Sequence, residues 1–222
     1  MTVNPEHHMA VLEAMRRVCR DAWRQGMLSG CNGNVSCRLP APREGQLCVT
    51  RSGAAKGRLT PADCCLVDAH SGETLAGGPT SSELGVHLAL YRALPRCRAV
   101  LHSHPRHLLA LSLALPNQGD LLRLPLFEAD IWRARLGFAS ALPPGGEALA
   151  RAVADAARRV GAEKPEGAAV WMAGHGLCCW GPTLTDALAI SEELEHLAAV
   201  QLLARQARES GAQGYADGQT TG

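Results

Sequence analysis

Two apolar runs constrain this chain more than any other feature. They are "CRAVLHSH", residues 97–104, and "GAAVWMAGHGLCCWG", residues 167–181. The first reads as a buried strand and the second as one or two more. Around them run segments of helical period. Residues 5–27 carry Met9, Leu12, Met15, Val18 and Ala22 at three- and four-residue steps. Further helices are expected from Ser81 to Leu94, stopped by Pro95, from Pro105 to Leu115, over 147–160 and from Thr183 to Arg208. "NVSCRL" and "QLCVT" form a plausible hairpin across "PAPREG", "CCLVD" is a third short strand, and another is expected near Leu122–Phe127. "AHSGETLAGGPT" reads as turn and loop. Apolar strands with helices before and after them make one α/β domain with a covered central sheet. No repeat or linker divides it, so the domain is expected over 1–210, and the tail "GAQGYADGQTTG", 211–222, is expected to be disordered.

Bulk properties exclude several classes of function. Lys and Arg number 22 against 21 Asp and Glu, for a net charge of +1. With no basic block, nucleic acid is not the expected partner. No apolar run approaches the length of a membrane span, and "MTVNPEHHMA" lacks the basic-then-apolar pattern of a secretory leader. The nine cysteines never form C-x-x-C, and Cys64–Cys65 and Cys178–Cys179 are adjacent pairs poorly spaced for a structural disulfide. They read as reduced thiols in a cytoplasmic protein.

The chemistry concentrates at the ends of the apolar runs. His102 and His104 lie two apart, and residues two apart on a strand face the same way. That spacing lets two imidazoles chelate one metal, and an open catalytic site needs a third ligand. His175, between Gly174 and Gly176 after an apolar strand, is the best candidate, and His107, one helical turn beyond His104, is its rival. His7 and His8 read as solvated, His70 as a turn residue, and His87 and His196 as packed or surface positions in helices. Glu83 has two readings: a capping box with Thr80 at a helix start, or a general base beside the metal. The turns "CNGNVS", "TRSGAAKG" and "TSSE" could cradle a phosphate through backbone N–H groups and hydroxyls, with Lys56 and Arg58 adding positive charge.

In order along the chain, "GNVS", "TRSGAAKGRLTPAD", "SSELGVHLALY", "AVLHSHP" and "AGHG" followed by a long helix resemble the class II aldolase/adducin family over residues 8–208. The resemblance implies a three-layer α/β/α domain with a central, largely antiparallel sheet. It implies a zinc site at His102, His104 and His175, with other divalent transition metals able to substitute. By the same resemblance Glu83 is the acid/base carboxylate. Gly33, Asn34, Ser52, Gly53, Ser81 and Ser82 match the phosphate loops, and the enzyme is a tetramer. In such enzymes a zinc ion on two neighbouring substrate oxygens stabilises the enediolate left by carbon–carbon cleavage.

Two branches compete. "TRSG" continuing to "KGRLT", Trp180–Gly181 and Glu128 resemble methylthioribulose-1-phosphate dehydratases of methionine salvage, in which Glu128 would be a second catalytic glutamate. "HSHP" and Leu84 after the glutamate depart from the dehydratase pattern, and "LGFASALPPGGEALARAV" resembles the sugar-phosphate aldolases. The reading that results is an aldolase splitting a 5-deoxy- or 5-methylthio-ribulose 1-phosphate into dihydroxyacetone phosphate and an aldehyde, with the dehydratase as alternative. A decarboxylase or 4-epimerase would share the metal site. A non-catalytic adducin-like binding domain would have no use for three histidines and a glutamate. For Glu128 the bland reading is an exposed carboxylate paired with Arg133 or Arg135.

Overall fold

The computed structural model describes residues 5–161, 164 and 166–217. In chain order the elements are α1 (Pro5–Arg24), β1 (Asn34–Arg38), β2 (Gln46–Thr50), β3 (Cys64–Asp68), β4 (Thr74–Ala76), α2 (Leu84–Ala93), β5 (Ala99–Ser103), α3 (Arg106–Ala114), α4 (Phe127–Arg133), β6 (Leu136–Ala139), α5 (Glu147–Gly161), β7 (Ala168–Met172), β8 (Gly176–Gly181) and α6 (Leu184–Asp217). Eight strands form one sheet in the order β4-β3-β2-β1-β5-β8-β7-β6. Every neighbouring pair is antiparallel except β6–β7. This is the expected mixed α/β domain with a largely antiparallel central sheet.

The alternation of side chains across each strand builds two cores, one on each face. Leu101 of β5, Trp171 of β7 and Cys179 of β8 pack with Leu12 and Met15 of α1, Leu108 of α3, Ala129 of α4 and Leu194 of α6. Val100, Val170 and Cys178 point the other way, against Val86 and Leu90 of α2 and Val153 of α5. β5, β7 and β8 are buried at every position, which is why they read as unbroken apolar runs.

The helix ends follow local chemistry. α1 closes with Gly26 at φ +76°, its N–H on the Trp23 carbonyl and the Met27 N–H on that of Ala22, the paired bonds of a Schellman motif. α6 opens with a capping box in which Thr183 and Asp186 satisfy each other's backbone N–H.

Several expectations are corrected. No strand forms over Leu122–Phe127: the Leu122 N–H is taken by Gln201 of α6 at 2.7 Å, Leu122 sits at φ +57°, and α4 begins at Phe127. Two strands were not foreseen. β4 is an exposed edge strand with no apolar face to betray it, and β6 is a short edge strand whose Gly137 lies 3.2 Å, as an added Cβ, from the Ala156 carbonyl of α5. α6 continues past Arg208 to Asp217, into the segment expected to be disordered, and residues 218–222 lie outside the described residues. Among the described residues no helix is long and apolar enough to cross a membrane.

Candidate active site

β1 and β5 are neighbours in register, with Asn34 opposite His102. Alternation turns Asn34, Ser36 and His102 toward the face covered by α2. β5 ends at Ser103, one residue short of His104, whose N–H is held by the Met27 carbonyl at 2.8 Å. The two rings converge nonetheless, with Nε2 atoms 2.9 Å apart. His175 comes from the tight turn between β7 and β8, its N–H on the Met172 carbonyl and Gly174 before it at φ +67°. Gly176 is required behind the cluster: an added Cβ would stand 2.6 Å from the Ser103 carbonyl and 3.1 Å from the His104 ring.

The ligand atoms of His102, His104 and His175 all lie within 4.8 Å of one another. Their chemistry fits a divalent transition ion. His102 donates from Nδ1 to the Leu177 carbonyl at 3.1 Å, so in its neutral form Nε2 carries a lone pair directed into the cluster. That lone pair faces His104 Nε2 and, at 3.1 Å, Glu83 Oε2. Acceptor atoms this close repel unless a cation or proton lies among them. Burial and the neighbouring imidazoles push His104 down to about 4, which keeps its lone pair free at neutral pH. Three imidazoles with room for a further ligand are the donor set of an open catalytic site.

Glu83 does not cap α2. It occupies the N-cap position with no side-chain capping bond. Its carboxylate instead turns into the cluster, 3.1 Å from Nε2 of both His102 and His175, with Oε2 also accepting from Asn34 Nδ2 at 2.8 Å. Burial alone would raise its pKa; with a proton among these atoms, the two imidazoles and the Asn34 amide outweigh burial and hold the carboxyl well below the usual range. The capping reading fails because these partners outweigh one helix N–H.

A cleft of about 220 Å³ opens over this floor. Gly33, Asn34, Ser52, Gly53, Ser81 and Ser82 all line it, beside Glu83, His104 and His175. Three chain segments are knitted together there. The Ser52 N–H bonds the Pro79 carbonyl, Arg51 bridges Thr80, and buried Lys56 donates to the carbonyls of Cys31 (3.1 Å) and Ala54 (2.7 Å). Gly33, at φ +75°, lies so near β5 that an added Cβ would stand 2.7 Å from the His102 carbonyl. Asn34 spends its amide on Glu83 and His87, so its side chain serves the carboxylate. Cys31, Asn32, Arg51, Lys56 and Pro144 complete the lining; Arg51 and Cys31 went unassigned because turn residues carry no periodic signal.

Other candidates lie elsewhere. His107 pairs through Nδ1 with Glu195 at 2.9 Å and is half-exposed, outside the cluster. Glu195 also accepts the His107 and Leu108 N–H groups, so it caps α3. Glu128 is exposed in the first turn of α4 and does not line the cleft. The partners expected for it are engaged otherwise: Arg135 pairs with Glu166 at 2.7 Å, and Arg133 donates to the carbonyls of Leu121 and Gly119. His196 is exposed and His70 lies in an exposed turn, while the side chains of His7 and His8 fall outside the described ones. His87 is fully buried and joined to Asn34, a connection invisible in one dimension.

Comparison with known proteins agrees with this geometry. Residues 13–202 match the family model described as Class II Aldolase and Adducin N-terminal domain. The chain is 33% identical to the 3-oxo-tetronate 4-phosphate decarboxylase of Escherichia coli K12 over 189 residues, covering 84% of this chain and 83% of the relative. It is 31% identical to the methylthioribulose-1-phosphate dehydratase of Serratia proteamaculans, covering 87% and 95%. The crystal structure of L-fuculose-1-phosphate aldolase from Thermus thermophilus superposes with a TM-score of 0.74 at 29% identity, covering 90% and 97%. With the family matched over most of its length and relatives named for catalysis on sugar phosphates, the chain is an enzyme of the class II aldolase and adducin N-terminal domain family.

Proposed function

We propose that this enzyme is a zinc-dependent carbon–carbon lyase that cleaves a ketose 1-phosphate, of the 5-deoxy- or 5-methylthio-ribulose type, to dihydroxyacetone phosphate and an aldehyde. The observation that carries this reading is the Glu83 carboxylate, 3.1 Å from Nε2 of His102 and of His175 at the floor of a cleft walled by serine and glycine loops.

His102, His104 and His175 would hold the ion; zinc suits three imidazoles, and manganese, cobalt and iron bind them too. A divalent cation there supplies a Lewis acid for charge developing on neighbouring substrate oxygens. Ser52, Ser81 and Ser82, with the backbone at Gly33 and Gly53, hold the phosphate away from the reacting carbons, so binding energy positions the substrate. Glu83 takes the proton of the C4 hydroxyl as the C3–C4 bond breaks and returns it to C3, and the proton count closes within the site. The enzyme is proposed to act in the cytoplasm as a homotetramer. Exposed Leu126, Phe127 and Ile131 around α4 offer apolar surface for an interface.

One further reading has a specific support. The 33%-identical decarboxylase is named for a 3-oxo-tetronate 4-phosphate, and loss of CO2 from that keto acid leaves the same three-carbon keto phosphate. The dehydratase reading rests on the 31%-identical relative of that name and on Glu128, which is exposed and does not line the cleft of its own chain.

The test is a product assay on metal-loaded protein with 5-deoxyribulose 1-phosphate, 5-methylthioribulose 1-phosphate and 3-oxo-tetronate 4-phosphate. Dihydroxyacetone phosphate is read with a coupled dehydrogenase, and aldehyde, CO2 and loss of water by mass spectrometry. Dihydroxyacetone phosphate with an aldehyde, lost in His102→Ala and unaffected in Glu128→Gln, supports the aldolase. CO2 release from the keto acid alone moves the assignment to a decarboxylase. Loss of water without dihydroxyacetone phosphate overturns both.

A further inference from the structure

We propose that His87 is a positioning residue: at the centre of a buried hydrogen-bonded chain it orients the Asn34 amide so that Glu83 Oε2 is fixed by a donated proton, leaving Oε1 as the oxygen that exchanges protons with substrate. This deepens the lyase reading and rests on it for the role of Glu83.

Five residues form the chain. The Tyr91 hydroxyl lies 2.9 Å from Ser36 Oγ, and Ser36 Oγ lies 2.6 Å from His87 Nδ1. His87 Nε2 meets Asn34 Oδ1, and Asn34 Nδ2 donates to Glu83 Oε2 at 2.8 Å. All five are buried, His87 and Ser36 completely. The arrangement follows from two periodicities. Glu83, His87 and Tyr91 are spaced four apart on the sheet-facing side of α2, and Asn34 and Ser36 are two apart on β1.

Only one direction of donation satisfies every member. Tyr91 donates to Ser36, Ser36 to His87 Nδ1, His87 from Nε2 to Asn34 Oδ1, and Asn34 from Nδ2 to the carboxylate. In the reverse direction His87 would donate from Nδ1 to Ser36 and accept from the Asn34 amide. The amide oxygen would then face the Glu83 carboxylate, and the Tyr91 proton would have no acceptor among the described residues. Buried polar groups without partners are costly, so the first direction prevails. It requires a neutral His87 in the Nε2–H tautomer. Burial pushes His87 down to about 3, which is consistent. On Glu83, Oε2 is thereby engaged, while Oε1, buried and 3.1 Å from His175 Nε2, has no hydrogen-bond partner among the described residues. A carboxylate held by one oxygen keeps the other at a fixed point beside the histidine cluster, the preorganisation proton transfer needs.

The test has two readouts on the full-length, zinc-loaded protein. Long-range 1H–15N spectra of the imidazoles report the His87 tautomer without substrate. The expected pattern is protonated Nε2 with Nδ1 an acceptor, unchanged from pH 5.5 to 8.5. A protonated Nδ1, or titration within that range, overturns the proposal whatever the enzyme acts on. Kinetics then separate positioning from packing. His87→Phe, which keeps a ring and removes both nitrogens, is expected to lower kcat about 10- to 100-fold with KM little changed. His87→Gln, whose amide nitrogen replaces the Nε2 donor, is expected to recover most of kcat. Equal loss in both variants, or loss confined to KM, refutes the proposal, and the His87→Gln comparison stands even if His87→Phe does not fold. The expected tautomer in a protein that turns over none of the three sugar phosphates would leave the hydrogen-bonded chain intact and sink the lyase reading instead.

Discussion

The buried imidazole of His87 makes the fold sensitive to acid by an amount that can be worked out. Its folded pKa lies near 3, against 6.5 for the free side chain, because burial disfavours the charged form. The unfolded chain therefore binds a proton that the folded one refuses. Stability from this residue is complete above about pH 6.5 and falls as pH drops toward 3. Between pH 7 and pH 5 the loss integrates to about 2 kcal/mol, at 1.4 kcal/mol per unit once the unfolded imidazole is charged. The assay is urea unfolding at both pH values, with a chelator present and protein concentration fixed, on the wild type and His87→Gln. Subtracting the variant removes acid effects common to both, His104 included. The gap between the two proteins should close or reverse by about 2 kcal/mol on going from pH 7 to pH 5. If both lose stability in parallel, His87 is not a neutral buried group, and the reasoning from burial to tautomer fails with it.

Four other outcomes are expected. Gly176→Ala forces a methyl group against the Ser103 carbonyl and the backs of the His102 and His104 rings, and should weaken zinc affinity about 10- to 100-fold in a competition titration while secondary structure persists. Zinc at about 100 times its Kd should stabilise the chelated protein by roughly 2.7 kcal/mol in thermal unfolding, and His102→Ala should abolish the gain. Glu195→Ala removes the cap of α3 and should cost about 1–2 kcal/mol in urea unfolding; His107 lies outside the cluster, so zinc affinity should not change. Cys31 is the one cysteine of the nine classed as exposed, and it lines the cleft. It should react first with a thiol reagent, and inorganic phosphate or a sugar phosphate should slow that reaction; undiminished labelling at saturating phosphate would argue against an anion site there.

What could be read in one dimension is what local periodicity encodes. His102 and His104 were visible because a strand repeats every two residues, and His175 because flanking glycines mark a tight turn. The loops that wall the cleft were visible as turn chemistry, although nothing in the sequence tells that Lys56 clasps two of them from beneath. Glu83 had a local explanation, the capping box, and the structure prefers a non-local one. His87 was read as an ordinary helical histidine because its partners, Asn34 and Ser36, lie about fifty positions away. The expected strand at Leu122–Phe127 failed for a related reason. Leu122 and Leu124 meet the core and Leu126 and Phe127 face outward, with no neighbouring strand, and hydropathy does not say which surface an apolar residue meets. β4 lacked the opposite clue: an exposed three-residue edge strand is held by hydrogen bonds alone.

The two cores described above also divide the labour of the site. The three histidines ride on the sheet and its turns, whereas Glu83 rides on α2, which rests on α5 in a separate apolar layer. Exchanging Val86, Leu90 or Val153, which also meet Val100 and Cys178 of the sheet, for residues of slightly different volume would shift the carboxylate by fractions of an ångström and the imidazoles less. On the proposed roles, ion retention and proton transfer become separately adjustable traits. A lineage, or an engineered library, confined to the α2–α5 seam could change which carbon receives the proton while every variant still loads its metal.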